Sequence, residues 1–154
     1  MGVNIKKKAV GMTDINKCSV YRYENVAIPN NDWTAILWTS ELFDLNTMHS
    51  QISNTERIEI KKSGYYLIKA EVAWGSNATG TRGLLIANSV TGELARAYCV
   101  PGGIGNPTIA VEKVVHQYAG EHVLVQAWQN SGDDLLVLGT LVYCYFEVIF
   151  LSEG

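Results

Sequence analysis

The side chains best suited to run a reaction here are three histidines, three cysteines and an adjacent pair of aspartates. Nucleophilic catalysis would need a thiol or hydroxyl beside a base that a third group orients, and a metal centre would need donors at ligand spacing. His49, His116 and His122 fall on a predicted loop, strand and turn, with no HxH or HExxH pattern. Cys18, Cys99 and Cys144 show no CxxC spacing, and their odd number leaves at least one thiol unpaired in a single chain. A Cys-His pair, such as Cys99 with His116, is the kind of nucleophile and base to consider. Isolated strand histidines are more often structural, and cysteines in apolar strands behave as small hydrophobes. Asp133 and Asp134, in NSGDD, are candidates for calcium, but adjacent acids in a turn are more often a solvated loop and no EF-hand spacing surrounds them. The expectation is a protein that is not an enzyme and needs no cofactor.

Binding has better candidates. Trp33, Trp38, Trp74 and Trp128 lie in or beside predicted strands, where large aromatics mostly serve a core or an interface. Trp33, directly after the turn IPNND, is the one placed to stack on a sugar instead. The loops NATGTR and PGGIGNP offer a contact surface with Asn77, Arg82 and Asn106, because loops at the ends of sandwiches commonly carry binding. Asn77-Ala78-Thr79 is a glycosylation sequon, read as chance in a chain without a signal peptide.

The elements that must position these residues are short strands. From Cys18 onward the runs SVYRYENVAI, WTAILWTSELFDL, ERIEI, GYYLIKAEVAW, LLIANS, LARAYCV, TIAVEKVVHQY, EHVLVQAWQN, LLVLGT and LVYCYFEVIFL alternate with turn clusters. Such spacing, without an amphipathic helix or an internal repeat, predicts an all-β sandwich or barrel. In GYYLIKAEVAW, Tyr66, Ile68, Ala70, Val72 and Trp74 share the core face, leaving Leu67, Lys69 and Glu71 on the other. The last run is apolar on both faces: Val142, Cys144, Phe146, Val148 and Phe150 on one, and Leu141, Tyr143, Tyr145, Ile149 and Leu151 on the other, where Glu147 is the only charge. An antiparallel strand normally shows water one polar face, so this one calls for a second partner, most simply another copy of the chain.

Composition narrows the classes further. At 154 residues the chain is one domain, and its net charge of −3 supplies no basic stripe for nucleic acid. No run approaches the roughly 20 apolar residues of a membrane span. The N-terminal MGVNIKKKAVGMTDINK lacks the apolar region of a secretory signal, and Lys6 stands where myristoylation needs Ser or Thr. The chain reads as soluble and made in a cytoplasm. Residues 1–17 form a predicted arm, either a disordered start or an attachment segment that orders on a larger assembly, and residues 18–154 form the domain.

The order of several phrases resembles the jelly-roll domain shared by the tumour necrosis factor and complement C1q superfamily, and more closely its bacterial and bacteriophage branch. They are IPNNDWTAI, Asp44 to His49 in the form D-x-x-x-M-H, NTERIEI with SGYYLIKAEVAW, NATGTRGLLI, AGEHVLVQAWQNSG and YFEVIFL, spanning about residues 27 to 151. The resemblance implies a ten-stranded sandwich of two sheets that forms tight homotrimers. By position it places Leu67, Lys69 and Glu71, with Tyr143, Tyr145, Glu147, Ile149 and Leu151, toward the threefold axis. Glu147 departs from the glycine common there. Three carboxylates near an axis would repel unless answered by Lys69, by a bound cation or by a raised pKa, or unless Glu147 lies at a solvated open end. The function implied is a non-enzymatic structural or adhesion module of a bacteriophage virion: a capsid decoration protein, head fibre or fibre tip, attached to capsid or tail proteins through residues 1–17 and contacting host surface glycans. The alternative is a secreted or spore-surface lectin-like C1q head, located outside the cell.

Overall fold

The computed structural model describes residues 15–154. Twelve strands run in chain order: β1 Lys17–Tyr21, β2 Val26–Ile28, β3 Thr34–Ala35, β4 Ser40–Leu45, β5 Arg57–Glu59, β6 Gly64–Trp74, β7 Arg82–Asn88, β8 Gly92–Cys99, β9 Thr108–Gln117, β10 His122–Gln129, β11 Leu135–Leu138 and β12 Cys144–Ser152. The expected ten become twelve because two runs divide. SVYRYENVAI breaks at residues 22–25, where the Arg22 guanidinium donates to the carbonyl of Glu24 at 3.0 Å. WTAILWTSELFDL breaks at residues 36–39, where the Ile36 and Trp38 N–H groups go to the carbonyls of Val125 and Thr55 at 3.0 and 2.9 Å.

The strands make two antiparallel sheets. Sheet A runs β2, β11, β6, β12, β1, β4, with β9 also paired to β6; sheet B runs β3, β10, β7, β8, with β5 also paired to β10. Alternation decides which side chains meet between them. Tyr66, Ile68, Ala70, Val72 and Trp74 of β6 and Cys144, Phe146 and Val148 of β12 face Leu84 and Ile86 of β7 and Val123, Val125 and Ala127 of β10, all in one buried cluster. Burying a side chain of this size contributes about 1.5–3 kcal/mol.

Gly64 opens β6 at φ +154°, and a Cβ there would collide with the Ser152 carbonyl and the Phe150 ring, so only glycine lets the last strand close against the first turn of β6. Cys18 and Cys144 are buried and free; burial pushes the Cys144 thiol up to about 12 and raises that of Cys18, which Asp44 raises further. Cys99 is half-buried rather than buried, because it ends β8 at the margin of the core.

Of the arm assigned to residues 1–17, residues 1–14 lie outside the described residues. Lys17 opens β1, and the Asn16 carbonyl accepts from the Phe150 N–H at 2.8 Å.

Candidate functional site

Three rows of outward side chains cross the middle of sheet A. Register aligns Val114, Leu67, Ile149 and Lys17 in one row, Glu112, Lys69, Glu147 and Ser19 in the next, and Ala110, Glu71, Tyr145 and Tyr21 in the third. Lys69 Nζ sits 2.8 Å from Glu147 Oε2, and Ser19 Oγ donates to Glu147 Oε1 at 2.9 Å. Both oxygens of the axial candidate are thus met within its own chain. The bond to Glu147 holds the Lys69 ammonium above the ordinary lysine range, and its Nζ lies 5.6 Å from the Tyr145 ring centroid. Burial, then the Glu71 carboxylate, raises the Tyr145 phenol, which donates to Glu71 Oε2 at 3.1 Å. Lys69, Ala110, Glu112 and Tyr145 line a shallow hollow of about 340 Å³ on this face. Leu67, Tyr145 and Ile149 remain half-buried and Val114 exposed, so apolar area flanks the charged row.

Two predicted members of this face lie at its ends, outside the three central rows. Tyr143 precedes β12, in a turn where its N–H and that of Cys144 both donate to the Thr140 carbonyl, at 3.3 and 2.9 Å. The β12 ladder starts at Cys144, although the Ala73 N–H of β6 still donates to the Tyr143 carbonyl at 2.8 Å, and the turn ends the alternation read through Leu141. Leu151 is the extra residue where the register shifts between Phe150 and Ser152; the shift leaves Leu151 exposed at the sheet's end.

The loop candidates gather at one end of the sandwich. The Gly105 N–H donates to Ser76 Oγ at 3.2 Å, joining the loop of Asn77 to the loop of Asn106. Asn106 is exposed, whereas the Asn77 side chain accepts from the Thr79 N–H at 2.8 Å. Arg82 corrects the sequence reading: it is fully buried, and its guanidinium donates to the carbonyls of Asn77 and Thr79 at 2.9 and 2.8 Å. It fastens the loop from beneath and presents no donor to solvent. The Asp133 and Asp134 side chains are exposed in a loop held by Gln129, whose amide donates to the Asp133 carbonyl at 2.7 Å. Among the described residues no group of three or more His, Cys, Asp or Glu side chains could hold a metal ion.

The histidines do not converge. His49 is buried with Nδ1 at 2.8 Å from Glu41 Oε1, and Asp44 accepts from the Met48 and His49 N–H groups at 2.8 and 3.0 Å. The D-x-x-x-M-H phrase is therefore a loop clasp. His116 packs edge-on to Tyr65 near the far end of β9, away from Cys99. His122 opens β10, its imidazole pKa lowered by burial and then by Arg57.

Trp33 belongs to a cluster on the outward face of sheet B. Its ring stacks on Trp128, with centroids 6.0 Å apart and 29° between planes, and Tyr98 meets Trp128 edge-on at 6.1 Å. Gly83 lies between Trp128 and Tyr98 in the register, and a Cβ on it would stand 2.8 Å from the Tyr98 ring and 2.9 Å from that of Trp33. Tyr98 and Gly83 were not singled out from sequence, and Trp128 was read only as core or interface. The signal was there: in HVLVQAW and LARAY, alternation sends Trp128 and Tyr98 outward.

Solved structures share this arrangement of strands. Murine APRIL at pH 5.0 superposes with a TM-score of 0.70 at 13% identity, over 89% of this chain and 99% of that one. The globular domain of zebrafish complement 1qA gives 0.65 at 14% identity, over 90% and 99% of the two chains. The fold is a TNF/C1q-like jelly roll. Eiger TNF from S. frugiperda adds a third match of 0.64 at 9% identity, over 91% and 94%. No family model and no curated protein matches this sequence. The matched solved domains are of the TNF and C1q kinds.

Proposed function

We propose that this jelly roll is a non-enzymatic homotrimeric structural and adhesion module on the outside of a bacteriophage virion. The observation that carries the trimer is the outward face of β6 and β12: half-buried Leu67, Tyr145 and Ile149 beside a carboxylate whose two oxygens are met by Lys69 and Ser19 of the same chain. Three copies can approach through such a face without bringing unanswered carboxylates together, which removes the main electrostatic objection to Glu147 near an axis. TNF/C1q-like domains commonly form homotrimers. The virion assignment is supported by the likeness of IPNNDWTAI, NTERIEI and YFEVIFL to bacteriophage structural proteins. It makes the chain a decoration protein, head fibre or fibre tip, built in the host cytoplasm, fixed to capsid or tail through residues 1–17, and touching host surface glycans.

Light scattering after size exclusion tests the trimer. A mass near three times the 17.0 kDa chain, held from micromolar to nanomolar concentration, supports it. A 17.0 kDa species throughout means that the face of β6 and β12 has no partner copy. Antibody labelling of intact particles tests the virion location.

A further inference from the structure

We propose that the outward face of sheet B around Gly83 is a saccharide platform, and that its ligand is a neutral pyranose. This rests on the glycan-contacting reading above and adds the place and the sugar chemistry. Trp33, Trp128 and Tyr98 expose aromatic surface on a sheet face whose own core lies on its other side, and Tyr98 is 52% exposed, too open to serve packing alone. Gly83 is the condition for the cluster, since any side chain there would lift the Trp33 and Tyr98 rings.

The polar groups around the rings specify the occupant. Among the described residues the Trp33 and Trp128 indole N–H groups, the Tyr98 hydroxyl and the Gln126 amide make no hydrogen bond. Gln126 and Arg96 share the next register row, on either side of Leu85. A purely apolar partner would strip water from these donors and leave them unpaired. A pyranose meets both demands: one ring face of C–H bonds lies against the negative face of an aromatic, and its rim of hydroxyls accepts from indole and amide N–H.

Charge decides between neutral and acidic sugars. The Arg96 guanidinium lies 5.3 Å from the Tyr98 centroid, and its Nε is 3.4 Å from Glu93 Oε1. Glu93 offsets part of that charge and would itself repel a carboxylated sugar, while hydroxyls can still use the remaining Arg96 donors.

The test is tryptophan fluorescence of the full chain titrated with methyl glycosides of glucose, galactose and mannose and with N-acetylneuraminic acid, together with binding to surfaces coated with the same sugars. Trp33 and Trp128 are part-exposed while Trp38 and Trp74 are buried, so a ligand on the platform changes emission directly. The expected result is saturable binding of a neutral glycoside, about tenfold weaker in Tyr98→Ala, the loss typical of a truncated aromatic anchor, less reduced in Tyr98→Phe, which keeps the ring and loses one hydroxyl, and weakened in Gln126→Ala. Binding that survives both Tyr98→Ala and Gln126→Ala overturns the platform and leaves the glycan reading standing. Preference for N-acetylneuraminic acid overturns the neutral class. No binding in solution or on coated surfaces overturns both the platform and the glycan contact. Gln126→Ala alters an outward side chain, so the test stays decisive should Tyr98→Ala fail to fold.

Discussion

The two sheets bury interchangeable inner faces and present opposite outer ones. On sheet A the outward middle is a polar row, Glu112, Lys69, Glu147 and Ser19, bordered by Leu67, Ile149 and Tyr145. On sheet B it is three aromatic rings gathered at a glycine. Both inner faces are built by the same alternation of Val, Ile, Leu and aromatics, and either would serve a sandwich core. The contrast teaches that in this chain the fold is carried by inward positions, which leaves the outward ones free to differ. The two outer faces suit different partners: a large flat surface with its charges satisfied, and a small ring of apolar and hydrogen-bonding groups.

The widest break in that contrast comes from placing a charge on the apolar border of sheet A. Ile149→Asp should reduce the proposed trimer to the 17.0 kDa chain, because each copy would bring a desolvated carboxylate to the proposed contact, on the order of several kcal/mol apiece; light scattering reads the mass. The sugar affinity of each isolated domain should be unchanged, and only avidity on a coated surface should fall. A loss of intrinsic affinity with the trimer would mean that the two faces are coupled.

A smaller effect separates the pair from its charge. Glu147→Ala leaves Lys69 without its partner and should lower protomer stability by about 1 kcal/mol, since the pair is only partly buried. Lys69→Met with Glu147→Leu should recover most of that loss, measured by urea denaturation of all three proteins. If the double variant is no more stable than the single one, the ion pair contributes beyond its charge.

Gly83→Ser sharpens the other side. The ring edges can yield, so stability should change by less than about 1.5 kcal/mol, whereas the Trp33 and Trp128 emission should shift as the stack opens. Unchanged emission would show that the rings do not depend on the glycine.

The smallest effects are titrations. The Lys69 pKa is raised in the folded chain, so its contribution is full below the ordinary lysine value of 10.5 and is lost as pH rises through the folded value. His122 is a base with a lowered folded pKa; the unfolded chain binds its proton more readily, so stability should fall as pH drops from about 6.5. Thermal melts at mild acid, neutral and strongly alkaline pH should therefore show a shallow optimum between the two. Substituting His122 by Gln should flatten the acid side alone.

Much of the architecture was legible, for particular reasons. The inward set of β6 followed from period-two alternation, and the turn residues at Gly92 and Gly120, both at positive φ, marked where strands reverse. The aromatic platform was half legible: Trp33 was noticed for its place beside a turn, but Tyr98 and Gly83 become its neighbours only through pairing of β10, β7 and β8. Arg82 was misread because a long cation beside a glycine-rich loop carries the same letters whether it reaches out to solvent or in to the loop's carbonyls. That Tyr143 stands in a turn and not in β12 was not legible, because alternation cannot announce the residue at which a strand begins.

By itself the sequence determined which side chains can share a face, since alternation is a property of the extended backbone and needs no partner strand. It thereby set the all-β class and the inward apolar set. Only the tertiary structure decided which faces lie side by side: that Lys69 and Ser19 flank Glu147, that Trp33 crosses Trp128 to reach Gly83, and that Arg82 points inward. Those outcomes depend on strand order and register, which are settled by contacts between segments far apart in the chain, 128 residues in the case of Ser19 and Glu147. No local stretch of chain contains the information, because the energy that selects it exists only when the sheets have formed.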